Sequence, residues 1–341
     1  MSQAQQLSNS DPATVFCGID VSARTLTVAV QQVGQWAQRE FANNANGHKE
    51  LIVWLHKRQA MVRVSLEATG IYSLDLALAL QAATRIELAV LNPKKIHEFA
   101  KSMRRSKTDR ADARVLAEFS QRMAFVPWQP PNRQGLQLRT LSRYIQGLTV
   151  QHTRERNRLH AVQNVAHTPR CVLSDLKRSL ASLEKRQQQL RREASALIQA
   201  DPSLRQQFHW LLAIPGIAQI SAIQLLAELT PLAQNMTVRQ WVAHSGLDPV
   251  HHDSGSSVHK PSHISRSGNR HLRRALYMPA LVAVQRDPHI KAFYLLLQSR
   301  HKTKMQALLA VARKLLHAIH GIFRSHSPYD GHKLFPALLP A

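Results

Sequence analysis

Val15-Phe16-Cys17-Gly18-Ile19-Asp20 reads as a β-strand that ends on an acid. Thr25–Val30, rich in β-branched residues, forms a second strand in this reading, and Trp36–Phe41 a third, antiparallel meander strand. Leu51, Ile52, Trp54 and Leu55 give His48–Lys57 the pattern of a short amphipathic helix. Val62-Arg63-Val64-Ser65-Leu66-Glu67 alternates cleanly and again ends on an acid. Tyr72–Ala83 reads as a helix, and Glu87–Leu91 as a short strand stopped by Asn92-Pro93. A basic loop follows, with Lys94, Lys95, Lys101, Arg104, Arg105 and Lys107. It leads into a helix with an apolar period (Val115, Leu116, Phe119), headed by Asp109 and Asp112. Three strands, a helix, a strand, a helix, a strand and an acidic helix predict a mixed α/β sheet.

The acids of this segment fall at two strand ends and one helix start. Asp109 and Asp112 are three positions apart, so they share a helix face and could share a divalent cation. They also suit a first helical turn on electrostatic grounds alone, with Thr108 as the cap. Asp20 and Glu67 end strands that a sheet would bring together, although turn chemistry is an alternative role for each. Four carboxylates converging in a basic protein repel one another unless a cation lies between them. A pair of Mg²⁺ ions is the natural filler, and two-metal sites serve phosphoryl transfer.

Charge narrows the partner. The 341 residues, enough for about two domains, carry 45 Lys+Arg against 21 Asp+Glu, a formal +24. That excess calls for a polyanion, with nucleic acid ahead of an anionic membrane because the charge is spread along the whole chain. Cys17 and Cys171 are too few for a four-thiolate zinc site or a disulfide framework and fit a reducing compartment. The polar start lacks a signal-peptide core, and the apolar stretch near Ala275–Val284 is too short to span a bilayer. A soluble, cytoplasmic protein is expected. His251-His252 and the His317/His320 pair lack carboxylate or thiolate partners at ligand spacing, so zinc is not expected.

Pro127-Trp128-Gln129-Pro130-Pro131 marks a boundary. The predicted domains are residues 14–126, a helical linker over 132–200 and a mainly α-helical C-terminal domain over 205–325. Arg133–Val165 reads as a long helix, interrupted at Thr168-Pro169. A heptad seam follows, with Leu173, Leu180, Gln187 and Ala194 at one core position and Leu176, Leu183, Leu190 and Leu197 at the other. It predicts either a coiled-coil stalk or a hairpin with the preceding helix, cationic on its exposed faces. Leu211-Leu212-Ala213-Ile214-Pro215-Gly216-Ile217-Ala218 leads into a second helix and looks like a helix-hairpin-helix, or a purely structural helical hairpin. Asp253-Ser254-Gly255-Ser256-Ser257 is a flexible loop by composition. Lys260, Arg266, Arg270, Arg273 and Arg274 follow it closely. A serine under guanidiniums suits attack on a phosphodiester. Leu308, Val311, Leu315 and Ile319 stripe a basic helix over Gln306–Ile322.

Gly18-Ile19-Asp20, Leu66-Glu67-Ala68-Thr69-Gly70, Asn92-Pro93 and Lys107-Thr108-Asp109-Arg110-Ala111-Asp112-Ala113 resemble blocks of the insertion-sequence-110 family of transposases. So do Asp253-Ser254-Gly255-Ser256-Ser257, Ser267-Gly268-Asn269 and Leu272 to Ala280, so that the resemblance runs from about Gly18 to Ile322. It implies a RuvC-like first domain of the ribonuclease-H type, with Asp20, Glu67, Asp109 and Asp112 as its Asp-Glu-Asp-Asp set and Mg²⁺ as the metal. It implies Ser254 as the nucleophile, donor and target DNA as substrates, a structured non-coding guide RNA and a homo-oligomer, a dimer or a tetramer. Lys107, Arg110, Lys260, Arg266, Arg273 and Arg274 are the candidate nucleic-acid contacts. Two rival readings are a metal-dependent junction endonuclease that uses water alone and a non-enzymatic nucleic-acid-binding protein.

Overall fold

β1 (Thr14–Val21) is the middle strand of a five-stranded sheet. The computed structural model describes residues 14–68, 72–103, 108–254 and 258–334, with the backbone alone at 102–103, 251–254, 258–262 and 334. The chain divides into two units, Met1–Pro130 and Pro131–Ala341.

In the first unit β2 (Thr25–Gln32) and β3 (Gln35–Ala42) continue from β1 as an antiparallel meander. β4 (Met61–Glu67) and β5 (Ile86–Leu91) lie parallel on the other side, giving the order β3-β2-β1-β4-β5. Parallel neighbours need crossovers. Helices α1 (Ala45–His56) and α2 (Leu74–Gln81) supply them. Val15, Cys17 and Ile19 of β1, with Val62, Val64 and Leu66 of β4, form one buried core with Leu51 and Leu55 of α1 and Leu76 and Leu80 of α2. Side chains alternate along a strand, so Gly18, Asp20, Ser65 and Glu67 belong to the opposite face.

That opposite face is covered by α4 (Asp109–Arg122), which follows α3 (Pro93–Met103). Gly18 is what lets α4 come down onto β1. A Cβ there would lie 2.0 Å from the Ala113 carbonyl oxygen and 2.5 Å from the Ala117 nitrogen. Further along, the Ser65 and Ser120 hydroxyls are hydrogen-bonded to each other in a fully buried position. At the start of the helix the Gln38 amide donates to the Arg110 carbonyl (2.9 Å), and the Arg114 guanidinium lies over the Trp36 ring. α4 therefore crosses the sheet from β3 over β1 to β4.

Of the basic stretch expected to be a loop, Lys94, Lys95 and Lys101 lie on helix α3, while Arg104, Arg105 and Lys107 lie outside the described residues. Pro93 suits a first turn, and Asn92 accepts from the Lys94 amide at 2.9 Å. Ile96 packs with Val115 and Leu116, and Phe99 meets Phe119 edge to face at 5.1 Å. Dense lysines conceal this short apolar period in the sequence.

The second unit begins with α5 (Arg133–Gln163) and α6 (Arg170–Ala200), packed as an antiparallel hairpin. Leu176, Leu183, Gln187 and Ala194 of the heptad seam are buried, and the Gln187 amide donates to the Leu148 carbonyl of α5 at 3.3 Å. The seam is covered within the chain, as a helical hairpin rather than a free-standing coiled-coil stalk. Heptad spacing alone does not name the partner helix.

Next come α7 (Pro202–Leu212), α8 (Gln219–Leu229) and α9 (Val238–Ser245). A two-stranded antiparallel hairpin follows, β6 (Pro249–Ser254) and β7 (Val258–Ile264). Asp253 and Ser254 of the expected loop belong to β6, whereas Gly255, Ser256 and Ser257 lie outside the described residues. The hairpin's Pro, His, Asp and Ser residues have low strand propensity, and cross-strand pairing makes the strands instead. α10 (Arg270–Arg286), α11 (Pro288–Ser299), α12 (Lys304–Ser325) and the short α13 (Gly331–Leu334) complete the unit. The α12 stripe Leu308, Val311, Leu315 and Ile319 is buried in the core of this unit. Gly216, at φ +92°, sits in the turn between α7 and α8, and a Cβ there would meet the Pro279 carbonyl oxygen of α10 at 2.5 Å. The helix-hairpin-helix-like turn is thus packed inward on α10. Among the described residues no helix is long and apolar enough to cross a membrane.

Candidate functional site

The parity of β1 and β4 places Asp20 and Glu67 side by side. Gly18 pairs with Ser65 and Ile19 with Leu66, so the next residues on the two strands are Asp20 and Glu67. Neighbouring strands lie ~4.8 Å apart. α4 adds the other two acids from its first turn, where the Thr108 hydroxyl accepts from the Ala111 amide at 3.2 Å. The positive end of the helix dipole then lies among the acids. Three distant segments meet at this point because Gly18 allows the helix to seat on the strand.

The electrostatics record the convergence. The pKa of Asp20 is pushed up to about 6, first by burial and then by the charges of Asp109, Asp112 and Glu67. Among the described residues no three His, Cys, Asp or Glu side chains are already closed around one ion position. Asp109, Asp112 and Glu67 lie within Coulombic reach of Asp20, and all four present only hard carboxylate oxygens. That donor set fits Mg²⁺ and offers nothing to a thiophilic metal.

A raised carboxylate pKa has a definite sign. The folded protein holds the Asp20 proton up to about pH 6, whereas an unfolded Asp loses it near 3.8. The associated stability is complete below the lower value and is lost as pH rises through the upper one. Asp20→Asn is therefore expected to stabilise the metal-free protein at pH 7, by about 1 kcal/mol once solvent screening of a half-exposed group is allowed for. The same substitution should remove any rise in Tm on adding Mg²⁺ at pH 7. Thermal melts of both proteins with EDTA and with Mg²⁺ check this; a wild-type Tm that ignores Mg²⁺ at pH 7 goes against metal binding here.

The second unit holds a polar cluster that the sequence did not announce. Glu228 of α8, 2% exposed at its side chain, accepts two hydrogen bonds from Arg143 of α5, both 2.8 Å. It accepts a third from the Asn269 amide at 2.7 Å. Asn269 in turn caps α10, accepting from the His271 and Leu272 amides. The His271 ring shares a 2.5 Å hydrogen bond with Gln146. Burial alone would raise the Glu228 pKa, but the Arg143 and Asn269 hydrogen bonds hold it below the ordinary carboxylate value. Burial lowers the pKa of His271 and of the neighbouring His244, which favours neutral rings. The one available signal was a single acid in the mostly apolar run Ile220–Leu229.

Glu228→Gln should destabilise the second unit by about 3 kcal/mol, since it leaves a partly buried guanidinium short of its charge partner. The depressed pKa means that the wild-type advantage is complete above the ordinary carboxylate range and fades as pH falls through the lower, folded value. Urea unfolding at neutral and at strongly acidic pH measures both effects; an equal difference at the two pH values would contradict the assignment.

The remaining candidate residues are placed as follows. Ser254 ends β6, paired with Val258 across the hairpin. Its side chain and that of Lys260 on β7 lie outside the described ones, and Lys107 lies outside the described residues. Arg110 and Arg274 are exposed on α4 and α10. Arg266 is exposed between β7 and α10, at φ +56°. Arg273 turns inward and donates to the Ser245 carbonyl at 2.7 Å, so one end of its guanidinium ties α10 to α9. Arg270, on the first turn of α10, is a further exposed cation.

Two family models match this chain. One is a transposase model, the DEDD transposase of IS110, over residues 17–168; the other, described as Transposase IS116/IS110/IS902 family, covers 209–295. The pilin gene-inverting protein of Moraxella bovis is 30% identical over 320 residues, which cover 92% of this chain and 97% of that protein. The insertion element IS110 43.6 kDa protein of Streptomyces coelicolor is 29% identical over 159 residues, 47% of this chain and 38% of that one. The structure of T. thermophilus RuvC in complex with a Holliday junction substrate matches 33% of this chain and 96% of its own at 16% identity. Its TM-score of 0.26 is too low to bear on the fold. Both halves of the chain are thus matched in order by models of one transposase group, and a relative is matched over nearly its full length. The chain belongs to the IS110 family of transposases.

Proposed function

We propose that this protein cuts and rejoins DNA strands through a covalent phosphoserine link, assisted by Mg²⁺ at the four-acid site. The observation that carries the reading is the convergence of Glu67, Asp109 and Asp112 on Asp20, seen in the raised Asp20 pKa. The sheet order β3-β2-β1-β4-β5 supports a ribonuclease-H-type, RuvC-like first domain. The relatives' name, pilin gene-inverting protein, speaks of a rearranged gene. Rejoining rather than hydrolysis is the chemistry that such an outcome needs.

In this mechanism the Ser254 oxygen attacks a backbone phosphorus. The bond from phosphorus to one sugar oxygen breaks, that oxygen takes up a proton, and the serine loses one. The phosphoserine link keeps a phosphodiester's worth of bond energy, so the reverse attack by a sugar hydroxyl rejoins a strand without a nucleotide cofactor. Asp20, Glu67, Asp109 and Asp112 would hold the metal, which when bound supplies positive charge to the phosphate and the leaving oxygen. Exposed Arg110, Arg266 and Arg274 would hold the DNA or RNA backbone. The formal +24 supports a large polyanionic assembly, in which a guide RNA pairs with donor and target DNA around an oligomer of this chain.

The test is an adduct trap. Purified protein is mixed with supercoiled DNA carrying the element's ends, Mg²⁺ and RNA transcribed from the gene's flanks, then quenched with detergent. A protease-sensitive protein–DNA adduct is expected. Cleavage with no adduct at any time point would instead support the water-using endonuclease.

A further inference from the structure

Beside α10 lies a cleft of about 590 Å³, lined in part by Arg274, to which the reading above gives a backbone contact but no base. Its walls include Ile220 from the first turn of α8 and Arg270, Arg273, Arg274, Tyr277 and Met278 of α10. Arg270, Arg274, Tyr277, Met278 and Leu281 recur at helical spacing, so they form one stripe along α10. Tyr277 is 37% exposed, Met278 54% and Ile220 45%, a large apolar area for the surface of so basic a chain. None of the described residues lining the cleft is acidic. Among the described residues neither Arg270 nor Arg274 has a carboxylate partner. The first turn of α8 has no side-chain cap, and it adds the positive end of a helix dipole to the same wall.

Cations at one end of a stripe and an aromatic ring with apolar side chains at the other suit a chain of phosphates carrying flat, unpaired bases. A second copy of this protein fits poorly, because a chain of +24 would bring cations onto cations. A paired duplex would present its phosphates but keep its base faces stacked away from Tyr277. We infer that the α8–α10 cleft binds an unpaired nucleotide within a single-stranded nucleic-acid segment, the base against Tyr277 and Met278 and the backbone along Arg270 and Arg274. Arg273, tied to the Ser245 carbonyl, holds the helix in place. The inference deepens the reading of this protein as a nucleic-acid enzyme, and it is independent of Ser254 and of the four acids.

Fluorescence anisotropy on the full-length protein tests it, using labelled oligo-dT, oligo-U and a blunt DNA duplex. Tyr277→Ala is expected to weaken single-strand binding about tenfold, in the range of one aromatic–base stack. Duplex affinity should stay unchanged, and Tyr277→Phe should bind like wild type. Arg274→Gln should lower the slope of log affinity against log salt by about 0.7. A Tyr277→Ala loss seen with oligo-dT, oligo-U or both supports the cleft and names the strand it takes. Equal effects on single strand and duplex, or none on either, overturn it. So does a changed native mass with unchanged single-strand affinity, which would make the stripe a protein contact. Should Tyr277→Ala melt early, wild-type protein crosslinked to iodouracil-substituted oligonucleotides decides the matter, because adducts mapping only outside residues 270–281 sink the proposal.

Discussion

Ser254→Ala is expected to abolish adduct formation and to reduce strand transfer by on the order of 10⁴-fold or more, the scale of losing a covalent nucleophile. Water attacking in its place would change the chemistry from transfer to hydrolysis. Binding should survive, because Ser254 carries no charge and sits at a hairpin end, where β6 meets β7 at the Ser254–Val258 pair. The nearby serines make sharp controls. Ser256→Ala and Ser257→Ala should retain adduct formation, since the resemblance assigns the nucleophile to the first serine of the group. Gel detection of the adduct, run beside a binding assay on the same variants, separates the outcomes. Cleavage that persists in Ser254→Ala with no adduct points to the water-using endonuclease. Adduct that moves to Ser256 would relocate the nucleophile within the same Ser-Gly-Ser-Ser group.

Gly18→Ala should be strongly damaging to the first unit. The new methyl would lie 2.0 Å from the Ala113 carbonyl oxygen, 2.5 Å from the Ala117 nitrogen and 2.8 Å from the Leu116 Cβ. Two of these atoms belong to the α4 backbone, which cannot rotate out of the way as a side chain would. The helix must lift, at a cost of about 3 kcal/mol. Lifting α4 also carries Asp109 and Asp112 away from Asp20. The Asp20 pKa should fall back toward the ordinary carboxylate range, and any Mg²⁺-dependent gain in Tm should shrink. Gly147→Ala is the matched control. Nothing lies within 4 Å of a Cβ at that position in α5, so it should raise stability by about 0.5–1 kcal/mol. Chemical denaturation of both variants, with and without Mg²⁺, reads the contrast. A Gly18→Ala protein as stable as wild type would falsify the close seating of α4 on β1.

Much of the architecture is legible in local pattern. Period two in Val15–Asp20 and Val62–Glu67, and helical period in Leu308, Val311, Leu315 and Ile319, reflect which side chains must leave water, and the elements form there. The acids Asp20, Glu67, Asp109 and Asp112 stand out in the sequence because a chain so poor in acid has little reason to place them at element ends. Where the elements go is another matter. The heptad seam of α6 is equally satisfied by a second chain or by α5, and only the Leu148–Gln187 contact and its neighbours choose α5. The lysines of α3 outweigh a weak apolar period until Ile96 finds Val115 and Leu116. The low-propensity residues of β6 and β7 become strands only when they pair with each other.

Function divides along the same line. Local sequence supplied the residue types: hard carboxylates, a serine beside glycine, and arginines spaced along a helix. Tertiary packing decided which of them lie together. Glycine at position 18 is unremarkable until a helix backbone needs its missing methyl, and Glu228 is one acid among apolar neighbours until Arg143 and Asn269 arrive from other helices. Arg273 and Arg274 are adjacent and alike in sequence, yet one guanidinium is tied to the Ser245 carbonyl and the other is exposed beside Tyr277. The reason is physical: periodicity records how each residue partitions between water and protein, whereas convergence depends on contacts between segments that are distant in the chain.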